Sequence, residues 1–242
     1  MPEPPPTIER LDACELAVAS GCWPFAVHYR DAIAAHWRRR AAENSTIFNG
    51  RVFVVRDVSV ADGVLRGTQY LTDFASFLFW RETGFRDPGT FDLFASALVL
   101  SRDGRVLVGQ AVAGSLNDGH FVVPGGLIDP RDVGPDGRID IVACAARELA
   151  EETGLTSADF ELVPGLLAAR EGPRIGIGVT FQTAFTKAEL LAKVEAHLAA
   201  DAAPELTHPH VVDPAMPDPN IRLTPTTGLL LSGLADTAAG GR

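Results

Sequence analysis

Nine consecutive residues, Arg147-Glu148-Leu149-Ala150-Glu151-Glu152-Thr153-Gly154-Leu155, constrain this chain more than any other feature. Residues 138–153 read as a helix closed by Gly154, which sits where a left-handed residue ends a helix. On that helix Glu148, Glu151 and Glu152 fall at i, i+3 and i+4. Their carboxylates share one face, with neighbouring Cβ atoms about 5–6 Å apart. Each pair repels by roughly 0.75 kcal/mol in water and roughly 3 kcal/mol at an effective dielectric of about 20. The acids also stand in the last turns, where negative charge is disfavoured by about 0.3–1 kcal/mol each. Arg147 offsets part of this by pairing with Glu151 at i+4. A hard divalent cation would reverse both penalties, because magnesium and its relatives take oxygen ligands. Most charged helix faces are merely solvated. Here the glycine stop and the upstream turn Pro124-Gly125-Gly126 favour a site.

Around this helix, strands and helices interleave. Helices are expected over 29–43, 71–84, 187–200 and 225–234, and strand character within 7–19. Further strands are expected over 51–60 and 64–70 as a hairpin, then over 94–100, 106–112, 120–123, 160–170 and 175–185. Residues 1–6 read as a proline-rich tail, 129–137 as a loop, and 201–224 as proline-rich with little periodicity. The pattern predicts an α/β protein with a mixed sheet sandwiched by helices. A boundary near residue 90 divides an N-terminal α+β segment, 1–90, from a second domain, 91–242.

The chain has 242 residues, enough for one or two domains with a real core. Its net charge of −10 argues against a general binder of nucleic acid or anionic membrane. It leaves room for a small phosphorylated ligand, because a bound cation inverts local charge. No apolar run is long enough for a membrane span, and the N-terminus lacks the pattern of a signal peptide. Cys14, Cys22 and Cys144 are odd in number and form no CxxC pair. A disulfide framework and a zinc site are therefore not expected, and a cytoplasmic chain with reduced thiols is.

Residues 147–155 resemble the second half of the Nudix box, and Gly125-Gly126 resembles the glycine pair that opens it. The order strand, Gly-Gly, loop, helix, Gly is similar to that family's as well. The resemblance implies a Nudix α/β/α fold over 91–242. It also implies metal-dependent hydrolysis of a pyrophosphate bond in a nucleoside-diphosphate-linked compound. By position, Glu148, Glu151 and Glu152 would hold Mg2+ or Mn2+, and Gly126 would offer its carbonyl. Arg147 would orient the glutamates. Glu148, or an acid outside the box, would deprotonate the attacking water.

One departure stands out. Gly126 lies 21 residues before Arg147, seven more than the usual box, and Ile139 occupies the place of a box glutamate. Asp129, Asp136 and Asp140 are nearby acids without being clear substitutes. The N-terminal segment, through Trp37, the run 49–53 and Asp73-Phe74, more weakly resembles UDP-sugar diphosphatase-type members, which makes a nucleotide sugar the first substrate to consider. A coenzyme A diphosphatase and a non-catalytic ligand-binding or regulatory module remain alternatives. The N-terminal segment is expected to shape a substrate or homodimer surface.

Outside the box, Glu171 is a candidate base, and Arg170 and Arg174 are candidate phosphate contacts. For all three a solvated turn is the plainer reading. His208 and His210 would face one side of a strand, and His120 precedes the Pro-Gly-Gly turn. Trp23, Trp37 and Trp80 read as core, and Cys144 as a small buried residue.

Overall fold

The computed structural model describes residues 5–44 and 47–240, so the start of the proline-rich tail, 1–4, lies outside the described residues. The order opens β1 (Thr7–Leu11), β2 (Ala13–Val18), α1 (Pro24–His28), α2 (Arg30–Glu43), β3 (Arg51–Ala61), β4 (Val64–Asp73) and α3 (Phe74–Glu82). It continues with β5 (Thr90–Leu100), β6 (Val106–Ala111), β7 (Phe121–Val122), β8 (Gly125–Leu127), β9 (Arg138–Ile139) and α4 (Ile141–Thr153). It closes with β10 (Phe160–Glu171), β11 (Arg174–Thr183), α5 (Lys187–Ala200), β12 (Leu206–Val212) and α6 (Pro225–Gly240). The mixed α/β class is the one the interleaved pattern predicts. Two compact units form. One takes the described residues up to Asp12, Phe94–Gly126 and the chain from Val142 on; the other takes Ala13–Leu93 and Leu127–Ile141.

In the first unit, β10 and β11 form an antiparallel hairpin, and β1 adds to its edge from Thr7↔Arg170 to Leu11↔Leu166. On the other side β11 neighbours β5. The end of β5 pairs antiparallel with β6 at Leu100↔Val106, and β6 pairs antiparallel with β7 and β12. Val106, Val108, Leu98, Leu167 and Ala169 pack with Leu230, Leu231 and Leu234 of α6 into one core cluster. Every residue of β11 from Ile175 to Phe181 is buried, Gly176, Gly178 and Thr180 on one face as well as the apolar side chains on the other, as a strand enclosed on both faces requires.

In the second unit, β3 and β4 form the expected hairpin. Its turn residues Asp62 (φ 50°) and Gly63 (φ 71°) are both left-handed, which matches the twist of a two-residue hairpin. β2 runs parallel to β4, and β9 pairs antiparallel with β2. Trp23 and Trp80 are fully buried and meet edge to face at 5.6 Å, whereas Trp37 is half-buried against Phe74. The Trp23 indole N–H donates to Asp87 at 2.8 Å, and the Thr90 hydroxyl donates to the same oxygen at 2.6 Å.

Four local expectations need correction. The helix over 71–84 starts at Phe74, because Asp73 ends β4 and accepts the Ser76 N–H at 2.8 Å as the helix cap. The helix over 138–153 starts at Ile141: Arg138 and Ile139 pair with β2 instead, and Ile139 is 4% exposed. The segment 201–224 contains β12, and 7–19 contains two strands rather than one.

The loop after Gly126 is tied both within itself and to β3. Asp132 accepts the Asp129 N–H at 2.9 Å, Asp140 donates to the Asp132 carbonyl at 2.9 Å, and the Ile128 carbonyl accepts the Phe53 N–H at 3.0 Å.

Candidate active site

Helix α4 buries Ile141, Cys144, Ala145 and Leu149, the stripe that anchors it. Glu152 falls in line with Ala145 and Leu149, three residues further on, so the packing that seats the helix also draws its carboxyl inward. The residue is 7% exposed. One carboxylate oxygen accepts the Gly125 N–H at 2.9 Å. Glu148 lies one turn earlier, its side chain 12% exposed. The backbone of Gly125 and Gly126 runs directly past these two acids. A Cβ at Gly125 would run into the Ala95 carbonyl, and a Cβ at Gly126 would lie 2.5 Å from the Glu148 carboxyl carbon. Glycine at 125 lets the turn lie against the β5 backbone at Ala95 and Ser96, and glycine at 126 lets it lie against the Glu148 carboxylate.

Arg147 answers part of the charge. Its Nη1 is 2.8 Å from Glu148 and 3.0 Å from Glu151, the i+4 pair expected from the sequence. Burial pushes the Glu148 carboxyl up to about 7, and the Arg147 guanidinium beside it holds it back. Burial raises the Glu152 carboxyl well above the usual carboxylate range. The Gly125 N–H counters this, and the charges of Glu148, Glu205 and Glu151 reinforce it.

Glu205, an exposed residue directly before β12, was not singled out by the sequence, which gives no local sign of it. Its charge raises both Glu148 and Glu152, so the fold brings a fourth acid into their neighbourhood.

Glu151 is turned to Arg147 and is half exposed. Among the described residues, no three His, Cys, Asp or Glu side chains are gathered tightly enough to enclose an ion on their own. The side-chain donors present are nonetheless all oxygen, the carboxylates of Glu148 and Glu152, and the backbone of Gly126 passes close to Glu148. A buried acid, Glu152, and a largely covered one, Glu148, both held above their normal pKa, with glycine at 126 leaving room beside the Glu148 carboxyl, fit a hard divalent cation.

The remaining candidates make contacts of their own. Arg170, Glu171 and Arg174 stand at the β10–β11 turn, with Glu171 paired across to Arg174. Arg170 donates to the Gly172 carbonyl at 3.4 Å, and Arg174 lies 5.3 Å from the centre of the Phe94 ring. His120 Nδ1 donates to the Asp118 carbonyl at 3.1 Å. Cys144 is buried, its sulfur 3.7 Å from Arg147. His208 and His210 do not share one regular strand face, because a bulge interrupts β12 between Thr207 and His210 and His208 is left-handed (φ 45°). Both line an open groove of about 470 Å³ between α5 and β12, with Glu195, Leu198 and Pro204. Among the described residues neither lysine nor arginine lines it.

The model of the NUDIX domain matches residues 91–213, half of the chain. The chain belongs to the Nudix family. Solved structures of similar fold include a Nudix hydrolase from M. smegmatis, RenU. It is 16% identical with a TM-score of 0.43, over 64% of this chain and 92% of that one. Another is the Nudix domain of Shewanella oneidensis NrtR in complex with ADP ribose, 16% identical with a TM-score of 0.39, over 62% and 88%. A third is a C. elegans Ap4A hydrolase, 17% identical with a TM-score of 0.40, over 61% and 98%. No curated protein matches the sequence.

Proposed function

We propose that this chain hydrolyses the pyrophosphate bond of a nucleoside-diphosphate-linked small molecule, a nucleotide sugar first among them, with Mg2+ or Mn2+. The observation that carries the reading is the buried Glu152 carboxyl, bonded to the Gly125 N–H, with the largely covered Glu148 carboxyl against Gly126. Glu148, Glu152 and the Gly126 carbonyl would hold the cation, with Glu151 able to join when Arg147 releases it. When bound, the cation neutralises phosphate charge and makes water easier to deprotonate. Arg147 keeps Glu148 and Glu151 in fixed orientation. Glu148 or Glu205 takes the proton from the attacking water. Water adds to one phosphorus, the bridging P–O bond breaks, and two monophosphates leave. A net charge of −10 would repel a diphosphate, so binding depends on this local reversal of sign. A cytoplasmic location belongs to the same reading, which leaves a homodimer open. Among the described residues no helix is long and apolar enough to cross a membrane.

A panel of nucleotide sugars, ADP-ribose and coenzyme A, assayed for phosphate release with a coupled phosphatase, tests this. Metal-dependent turnover of at least one is expected. A second reading, a non-catalytic ligand-binding or regulatory module, is favoured by Ile139 in place of a box glutamate and by the enlarged loop. It gains if the panel shows no turnover in either metal while a nucleotide still binds.

A further inference from the structure

We infer that His197 is a positioning residue for the acidic end of α4, holding through the backbone the turn that carries Glu151 and Glu152. The inference rests on the function proposed above.

The backbone groups at the end of α4 can be followed one by one. The Gly154 N–H donates to the Ala150 carbonyl at 3.0 Å. The next N–H, that of Leu155, is diverted to the Thr153 hydroxyl at 3.3 Å, and this hydroxyl donates to the Leu149 carbonyl at 2.6 Å. Leu155 would have been the intrahelical donor to the Glu151 carbonyl. His197 Nε2 stands there instead, 3.0 Å from that oxygen. A carbonyl only accepts, so Nε2 carries the proton.

Gly154 makes room for the ring. It is left-handed (φ 71°), and a Cβ there would lie 2.7 Å from His197 Nδ1 and 2.9 Å from Cγ. The imidazole is therefore seated over the glycine and aimed at the carbonyl one turn back. Its own helix is well fixed. Leu190 and Val194 are buried, Thr186 and Glu189 close a capping box, and Lys193 meets Asp159 at 2.8 Å.

A donor at this point has a specific effect. The last carbonyls of a helix form its negative pole, and here three glutamates crowd the same end. A hydrogen bond into the Glu151 carbonyl opposes fraying of the turn from which Glu152 reaches Gly125. His197 touches the backbone of Glu151, not its carboxylate, and so acts on the cation site at one remove.

The test uses the full chain as His197→Ala and His197→Gln, the Gln amide being able to donate to the same carbonyl. Mn2+ uptake is read by electron paramagnetic resonance of the free ion, alongside kcat, KM and melting temperature. His197→Ala should weaken Mn2+ binding about five- to tenfold, the scale of one hydrogen bond, and lower kcat with KM little changed. His197→Gln should restore Mn2+ binding to within about twofold on the same footing, with both variants melting near the parent temperature. Unchanged Mn2+ affinity in His197→Ala overturns the assignment. So does equal impairment of both variants in step with a lowered melting temperature, which would make the imidazole a packing group. A parent chain that takes up Mn2+ and turns over substrate while His197→Ala matches it sinks this inference alone. A parent chain that takes up no Mn2+ sinks the proposed function as well.

Discussion

Glu152 shows how packing and chemistry share one residue. Its place beside Ala145 and Leu149 on the buried stripe explains the loss of solvent, and the Gly125 N–H explains why the carboxyl still points to a polar partner. Glu152→Gln keeps the shape and removes the charge. Turnover should fall at least about a hundredfold, while the melting temperature holds or rises because a buried acid is gone. Full activity in that variant would remove Glu152 from the site. Gly126→Ala makes a separate prediction: its Cβ would displace the Glu148 carboxylate, so Mg2+- or Mn2+-dependent activity should collapse with the chain still folded by circular dichroism. At this scale the sequence was informative about identity and silent about surroundings. The spacing of Glu148, Glu151 and Glu152 and the Arg147–Glu151 pair were legible, since helix periodicity fixes them. The approach of Glu205 and His197 was not, because their nearness comes from tertiary packing.

The elements carry their own lesson in β9 and α4. Periodicity ran the helix back to residue 138, yet Arg138 and Ile139 were captured by β2, and Ile139 was buried there. Local pattern could not anticipate a partner strand so distant in sequence. That pairing also explains the departure from the usual box: the position belongs to a sheet edge, where a buried glutamate would be costly. Ile139→Ala should destabilise the fold by about 2–4 kcal/mol, read as a lowered urea midpoint. A midpoint unchanged within error would mean that β9 contributes nothing to stability. By contrast α5 was read within a residue at both ends. Its Thr186/Glu189 capping box and the buried Leu190 and Val194 are local signals that agree with the tertiary fold.

For the whole molecule, the raised carboxyls become a statement about pH. Glu148 titrates near 7 when folded and nearer 4.5 when unfolded. The folded state thus binds the extra proton, and stability from this group is complete below about 4.5 and lost as pH rises through about 7. Glu152 acts in the same direction. The cation-free chain should therefore melt at lower temperature at pH 8 than at pH 5, with Mn2+ raising the melting temperature more at pH 8. A flat profile that ignores Mn2+ would contradict this. The loop from Leu127 to Ile141 packs in one unit with Ala13–Leu93, through β9 on β2 and the Ile128 carbonyl on Phe53. These two stretches must consequently be inherited together. A chimera that grafts a shorter box loop from a relative, leaving the first strands in place, would strip β2 of its outer neighbour and expose a ladder of unmatched amides to self-association.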